Sequence, residues 1–248
     1  MGAVSSTRYI TQAGWKDAPH LTPEMCAEMG KDIMPHLRNA RMLGEPTMGA
    51  GTIYQIDLGE IMVKPFAIPP FWPRAYALDV GWNRTAAVWG ALDRNTDVLY
   101  LYSEYYAGQK IPQIHAMAIK SRGAWIPGVV DPAARGRSQT DGKQLLATYG
   151  GETCGLKLVP ADNAVESGLQ EVWARMVSGR LKVFTSLANW RTEIQLYKRD
   201  VDGKSVEKDD HLMDTMRYLV VSGVPIMRVQ EMQREGGASL IMDERAGY

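Results

Sequence analysis

Residues 76–106 read YALDVGWNRTAAVWGALDRNTDVLYLYSEYY. Three apolar, β-branched or aromatic runs stand out: Tyr76–Val80, Thr85–Leu92 and Asp97–Tyr106. Only Gly81–Arg84 and the turn Asp93-Arg94-Asn95-Thr96 separate them. Sequential strands joined by turns this short predict an antiparallel meander. The first strand ends on Asp79, and Gly81 just beyond it lets the backbone turn sharply enough for a ligand to come close.

Downstream, the pattern alternates between helix and strand. Ile111–Ser121 is predicted helical, with Ile111, Ile114, His115, Ala118 and Ile119 along one stripe. Gly128–Asp131 is a short buried strand, Thr140–Thr148 a helix, Leu156–Val159 a strand, Val165–Val177 a helix, Leu181–Phe184 a strand and Ala188–Leu196 a helix. Asp202-Gly203 marks a hairpin within Tyr197–Lys208, and His211–Ser222 is an apolar helix. This order resembles the α/β ribonuclease H-like fold, a mixed central sheet with helices on both faces.

Upstream, residues 1–70 differ in character. Thr22 and Pro23 suit the N-cap and first position of a helix carrying Met25, Met29, Ile33 and Met34. Gly44-Glu45-Pro46 and Gly49-Ala50-Gly51 break the pattern before the extended piece Thr52–Ile56, and Pro65, Pro69, Pro70 and Pro73 come after it. With few apolar residues of its own, this stretch is expected to be a linker arm leaning on the next domain or on another partner. The expected division is therefore an arm at 1–70, a domain at 71–225 and a polar tail at 226–248.

Composition narrows the class. The 248 residues are 45% hydrophobic, and no apolar run approaches the length of a membrane span. The first residues lack the basic and apolar regions of a signal peptide. Two distant cysteines, Cys26 and Cys154, suit neither a zinc ribbon nor a disulfide framework. The 28 basic and 28 acidic residues cancel. Phosphate neutralisation dominates nucleic-acid affinity, so a chain of zero net charge that acts on DNA needs help holding it.

The candidate chemistry lies in aspartates. Asp79 and Asp131 end strands, the latter just before Pro132, while Asp210 and Asp214 share one face of the last helix at i and i+4. Each has a plainer alternative: strand-end turn residues for Asp79 and Asp131, an N-cap for Asp210 with Asp209 as competitor, and an ion pair with Arg217 for Asp214. Together they form a set able to hold Mg²⁺ or Mn²⁺. Two such ions bridged by one aspartate can hydrolyse a phosphodiester.

The same residues carry a family resemblance. Leu78-Asp79-Val80-Gly81, Val130-Asp131-Pro132-Ala133 and Asp210-His211-Leu212-Met213-Asp214-Thr215-Met216-Arg217-Tyr218 resemble three acidic motifs of the large terminase subunit of tailed bacteriophages, in its C-terminal nuclease region. Thr215 replaces the family's alanine. Asp17–Leu21, Arg41–Pro46 and Gly49–Tyr54 resemble the segment joining a terminase ATPase to its nuclease. No Walker A loop occurs in these residues, so the resemblance implies a piece of a longer chain without its ATPase half.

It also implies a DNA-packaging endonuclease with two divalent ions, Mg²⁺ or Mn²⁺. Asp79 would bridge them, Asp131 and Asp214 would each support one, and Asp210 would be an accessory metal contact. Implied partners are double-stranded DNA, the ATPase domain, the portal protein and the small terminase subunit, with no membrane involved. The setting would be the host cytoplasm, and the isolated piece would be a monomer. Arg84, Arg135, Arg137, Lys143, Lys198, Arg199, Lys204 and Lys208 are candidates for phosphate contacts, with solvated surface charge as the alternative for each. Trp82 is expected in the core, with base or sugar stacking as the alternative. His211 is read as a packed or capping residue rather than a catalytic one, with a general acid or a donor behind the metal ligands as the alternative. Rival readings are a resolvase or transposase of the same fold, a sugar-kinase or actin-like ATPase suggested by the Asp79-Val80-Gly81 turn, and a docking module without catalysis.

Overall fold

The computed structural model describes residues 2–5, 8–10, 13–31, 33, 41–44, 51–132, 145–199 and 210–231. In the arm, β1 (Gly2–Ser5) pairs antiparallel with β2 (Arg8–Ile10), and α1 spans Pro23–Lys31. Thr22 Oγ1 accepts from Met25 N at 3.2 Å, as the N-cap reading requires. The helix buries none of its residues, so its methionines face outward.

The arm's last part is built into the domain. Asp57 caps the short α2 (Leu58–Ile61), and β3 (Met62–Val63) comes next as an edge strand. Ile53, Tyr54 and Ile61 are buried in the main core.

The meander comprises β4 (Arg74–Asp79), β5 (Thr85–Asp93) and β6 (Val98–Ala107), as the sequence predicts. Next come α3 (Pro112–Lys120), β7 (Gly128–Val130), α4 (Leu145–Gly150), β8 (Leu158–Pro160), α5 (Val165–Val177), β9 (Leu181–Phe184), α6 (Ala188–Leu196) and α7 (His211–Tyr218). The sheet order is β3-β9-β6-β5-β4-β7-β8. β4, β7 and β8 run parallel, as do β6, β9 and β3. Of the hairpin expected across Tyr197–Lys208, only its first three residues are described. Lys198 bridges Thr52 there, and Arg199 N donates to Gly51 O at 3.0 Å. The rest of that hairpin, like the start of the helix expected at 140, lies outside the described residues.

Alternation along β4 explains why helices cover both faces. Tyr76 and Leu78 pack with Trp89, Ala116, Ile119 and Tyr149 on one side. Ala75 and Ala77 pack with Leu169, Trp173, Trp190, Leu212 and Met216 on the other. Small residues on this second side let α7 approach the strands. At Gly90 an added Cβ would sit 2.8 Å from Leu219 and 2.9 Å from Leu99. Beyond Tyr218 the helix continues as a π-helical turn, Leu219–Gly223. No helix among the described residues is long and apolar enough to cross a membrane.

Candidate active site

Two strand ends and one helix start converge. Asp79 closes β4, and Asp131 comes directly after β7, the parallel neighbour of β4. Asp131 N donates to Leu78 O at 3.0 Å, which sets the two aspartates side by side. The carboxyl ends of parallel strands are where open α/β sheets place ligands. α7 packs across β4 and β5 because its apolar residues Leu212, Met213 and Met216 are fully buried there. That packing delivers Asp210, His211 and Asp214 to the same end.

Asp79, Asp131 and Asp214 each meet a donor carried by α7. His211 Nδ1 lies 2.8 Å from Asp79 Oδ2, and the nitrogen donates because a carboxylate can only accept. Arg217 Nη2 donates to Asp214 Oδ1 at 2.8 Å, and the Tyr218 hydroxyl lies 3.2 Å from Asp131 Oδ1. The alternative reading of Asp214 as the partner of Arg217 is therefore realised, but at the acidic cluster rather than on the surface. Arg217 is only 2% exposed, and its Nε and Nη1 have no hydrogen-bond partner among the described residues. Asp210 stands at the N-cap position, yet its side chain makes no capping bond, so capping does not account for it.

The electrostatics are those of crowded acids. Burial, then the charges of Asp214 and Asp79, push Asp210 up to about 6. Burial also raises Asp214 despite Arg217, with Asp79 and Asp131 adding to the rise. The hydrogen bond to Asp79 raises His211, so the imidazole holds its proton more tightly than usual.

Beneath the helix start lies a residue that the sequence reading did not single out. Glu193, on α6, is 3% exposed, and its Oε2 accepts from Leu212 N at 2.6 Å. Burial pushes it up to about 7, although bonds from Tyr106 and from the Leu212 and Met213 amides pull the other way. His211, expected first to pack or cap, touches Asp79 directly, as its alternative reading as a supporting donor allows.

The basic candidates divide. Arg84 lies over the Tyr106 ring, 4.4 Å from its centroid, and the Tyr106 ring is 6.5 Å from that of His211. Arg84 thus borders the site. Lys198 is exposed on its bridge to Thr52. Arg199 is corrected: its guanidinium is buried and forks onto both Glu166 oxygens at 2.9 Å, so it ties the chain to α5 rather than facing a phosphate. Arg135, Arg137, Lys143, Lys204 and Lys208 lie outside the described residues, as does Asp209. Trp82 is also corrected: it is 70% exposed, because the loop after β4 turns its side chain away from the core.

Hard oxygen donors brought this close together fit a divalent cation, whose charge would relieve the crowding that, after burial, raises Asp210 and Asp214. Even so, no three His, Cys, Asp or Glu side chains among the described residues already form a closed ligand set. One oxygen each of Asp79, Asp214 and Asp131 is already engaged by His211, Arg217 and Tyr218.

A mixed sheet flanked by helices, with acids at the ends of its central parallel strands and on the last helix, defines a ribonuclease H-like domain. The match is more specific than the fold: the chain belongs to the terminase RNaseH-like domain family, whose model covers residues 77–222. It is 32% identical over 229 residues to the large terminase subunit of Salmonella phage P22, and similarly related to that of Enterobacteria phage LP7 over 212 residues. These alignments cover 88% and 82% of this chain but only 44% of either relative, so the chain spans less than half their length. Among solved structures, the P22 large terminase nuclease domain superposes with a TM-score of 0.66 at 30% identity, covering 74% of this chain and 97% of that one. The large terminase of a thermophilic bacteriophage shares the fold, with a TM-score of 0.67 at 21% identity over 84% of this chain and 53% of that one.

Proposed function

We propose that this chain is the nuclease part of a phage large terminase, a metal-dependent endonuclease that cuts double-stranded viral DNA during genome packaging with little sequence specificity. The observation that carries the reading is the convergence of Asp79, Asp131, Asp210 and Asp214, two from adjacent strand ends and two from the start of one helix, where burial and then neighbouring carboxylates raise Asp210 and Asp214. Asp79, Asp131 and Asp214 would hold two Mg²⁺ or Mn²⁺ ions, with Asp210 as an accessory. Such ions, when bound, generate the attacking nucleophile from water and stabilise the leaving oxygen.

The protein's own residues do the rest. His211 orients the Asp79 carboxylate, Tyr218 that of Asp131, and Arg217 that of Asp214. Arg84 and Lys198, with Arg135, Arg137, Lys143, Lys204 and Lys208, would contact phosphates, which carry no sequence information. Zero net charge implies that the DNA is presented by other parts of a motor. Residues 1–70 would lead from an ATPase domain and 226–248 would form a tail, with the portal protein and small subunit as further partners in the host cytoplasm. The isolated chain is expected to be a monomer.

The test is plasmid nicking in Mn²⁺. Asp79→Asn, Asp131→Asn and Asp214→Asn should each abolish it while leaving the thermal transition cooperative, and unchanged cutting by all three would overturn the assignment. The rival reading, a docking module without catalysis, draws on the carboxylates being engaged by α7 donors. Calorimetric titration of the wild type with Mn²⁺ separates the two, since absence of binding would favour the module.

A further inference from the structure

We infer that Trp82 is a stacking platform for an unpaired base of DNA, set beside the acidic cluster. The choice of ligand rests on the nuclease reading, and the rest on the geometry of the loop that carries the indole.

Trp82 is the most exposed of the chain's large hydrophobic side chains among the described residues, and it sits three positions beyond Asp79. It stands on a tightly held loop. Trp82 O accepts from Gln109 N at 2.8 Å, and Gly81 O accepts from Thr85 Oγ1 at 3.0 Å. The backbones of 81–84 and 108–109 touch so closely that a Cβ on Gly108 would lie 2.0 Å from Asn83 O, and one on Gly81 2.7 Å from Arg84 O. Gln109 adopts φ 54°, a left-handed conformation that a side-chain-bearing residue rarely takes. The surrounding contacts hold it there. An indole displayed on a loop this constrained loses little freedom when it binds, which is what a preorganised contact needs.

The loop's chemistry is that of nucleic-acid recognition. Residues 80–85 and 107–112 contain Arg84 and Lys110 and no acidic residue. Asn83, Gln109 and Lys110 are exposed on the same two loop segments as Trp82. Cations, amides and a free aromatic face make a single-strand contact surface: the cations track phosphates and the ring stacks on a base of any identity. Arg84 links this surface to the cluster through Tyr106, whose ring neighbours His211. In closed duplex both faces of each base are covered by its neighbours, so the indole can engage only an end, a frayed step or a single strand. The platform therefore favours DNA whose strands have begun to separate next to the bond to be cut.

The experiment is equilibrium binding of the full chain in EDTA, where no cutting occurs, to a fluorescein-labelled single-stranded 12-mer and to a closed hairpin duplex. Trp82→Ala should weaken single-strand binding by about 5- to 100-fold, leave hairpin affinity within about twofold, and leave the melting temperature unchanged. Trp82→Phe should recover part of the loss. Quenching of the long-wavelength tryptophan emission by the 12-mer should disappear in Trp82→Ala. Equal losses on both DNAs, no loss on either, or no single-strand binding by the wild type would each overturn the platform. Cleavage assays on the same preparations keep the two readings apart. A wild type that never cuts but shows the Trp82 effect sinks only the nuclease assignment, and one that cuts without the effect sinks only the platform.

Discussion

Replacing Glu193 by glutamine should stabilise the metal-free protein, and chiefly at neutral to alkaline pH. Glu193 is buried under the start of α7 and accepts from the Leu212 amide. Glutamine keeps an acceptor for that amide and removes the charge. The folded state holds the Glu193 proton up to about pH 7, whereas an ordinary glutamate releases it near 4.5. Between those values the folded state binds more protons than the unfolded chain, so stability falls as pH rises. A rise of this size is worth about 3 kcal/mol once the group is fully ionised, and about 1 kcal/mol at pH 5. For a protein of this length each kcal/mol moves the melting temperature by about 2–4 °C. Glu193→Gln should therefore melt about 6–12 °C above the wild type at pH 8 and about 2–4 °C above it at pH 5, less whatever the attraction to His211 contributes. Scanning calorimetry in EDTA at both pH values reads this directly. A variant less stable than the wild type at pH 8, or displaced equally at both pH values, would refute burial as the origin of the raised pKa.

Two further outcomes concern Arg199 and the metal. Arg199→Ala should lower stability by about 1–3 kcal/mol in urea denaturation, because it removes a buried guanidinium forked onto Glu166. It should leave DNA affinity within about twofold; a large affinity loss at unchanged stability would return Arg199 to the phosphate contacts. Mn²⁺ should raise the melting temperature far more at pH 8 than at pH 5, since ligands must shed their protons to bind, and about 2.7 kcal/mol is expected at a hundredfold excess over Kd. A shift of equal size at both pH values would place the ion away from Asp210 and Asp214.

The fold was legible where its signal is local. The meander announces itself through alternation and a polar turn, and Val165–Val177, Leu181–Phe184 and Ala188–Leu196 carry periodicities strong enough that their expected ends coincide with the observed ones. What escaped depends on contacts between distant segments. His211 and Asp79 are 132 residues apart, so a histidine at a helix start reads as a cap until the strand end it faces is known. Glu193 looks like a solvated position between Trp190 and Ile194, and only the landing of α7 on α6 buries it. Arg199 beside an expected hairpin reads as a DNA contact because Glu166 is 33 residues upstream. For Trp82 apolar character argued for the core, but the close approach of Gly108 to Asn83 holds the loop outward. The edge strand Met62–Val63 is too short to leave a periodic signature, and its pairing with β9 places it.

The division of labour between strands and helix rests on these contacts. β4 and β7 fix Asp79 and Asp131 through ladder bonds that leave little room for adjustment. α7 contributes Asp214 and also three donors, His211, Arg217 and Tyr218, that engage the cluster. A cation entering the site would compete with these side chains of one eight-residue helix. Leu212, Met213 and Met216 on the opposite face of that helix are fully buried and anchor it against the sheet. Removing a donor would then free a carboxylate oxygen and remove the contact that orients it. These donors engage three of the four carboxylates, and their contacts offset part of the repulsion among acids gathered at that end of the sheet.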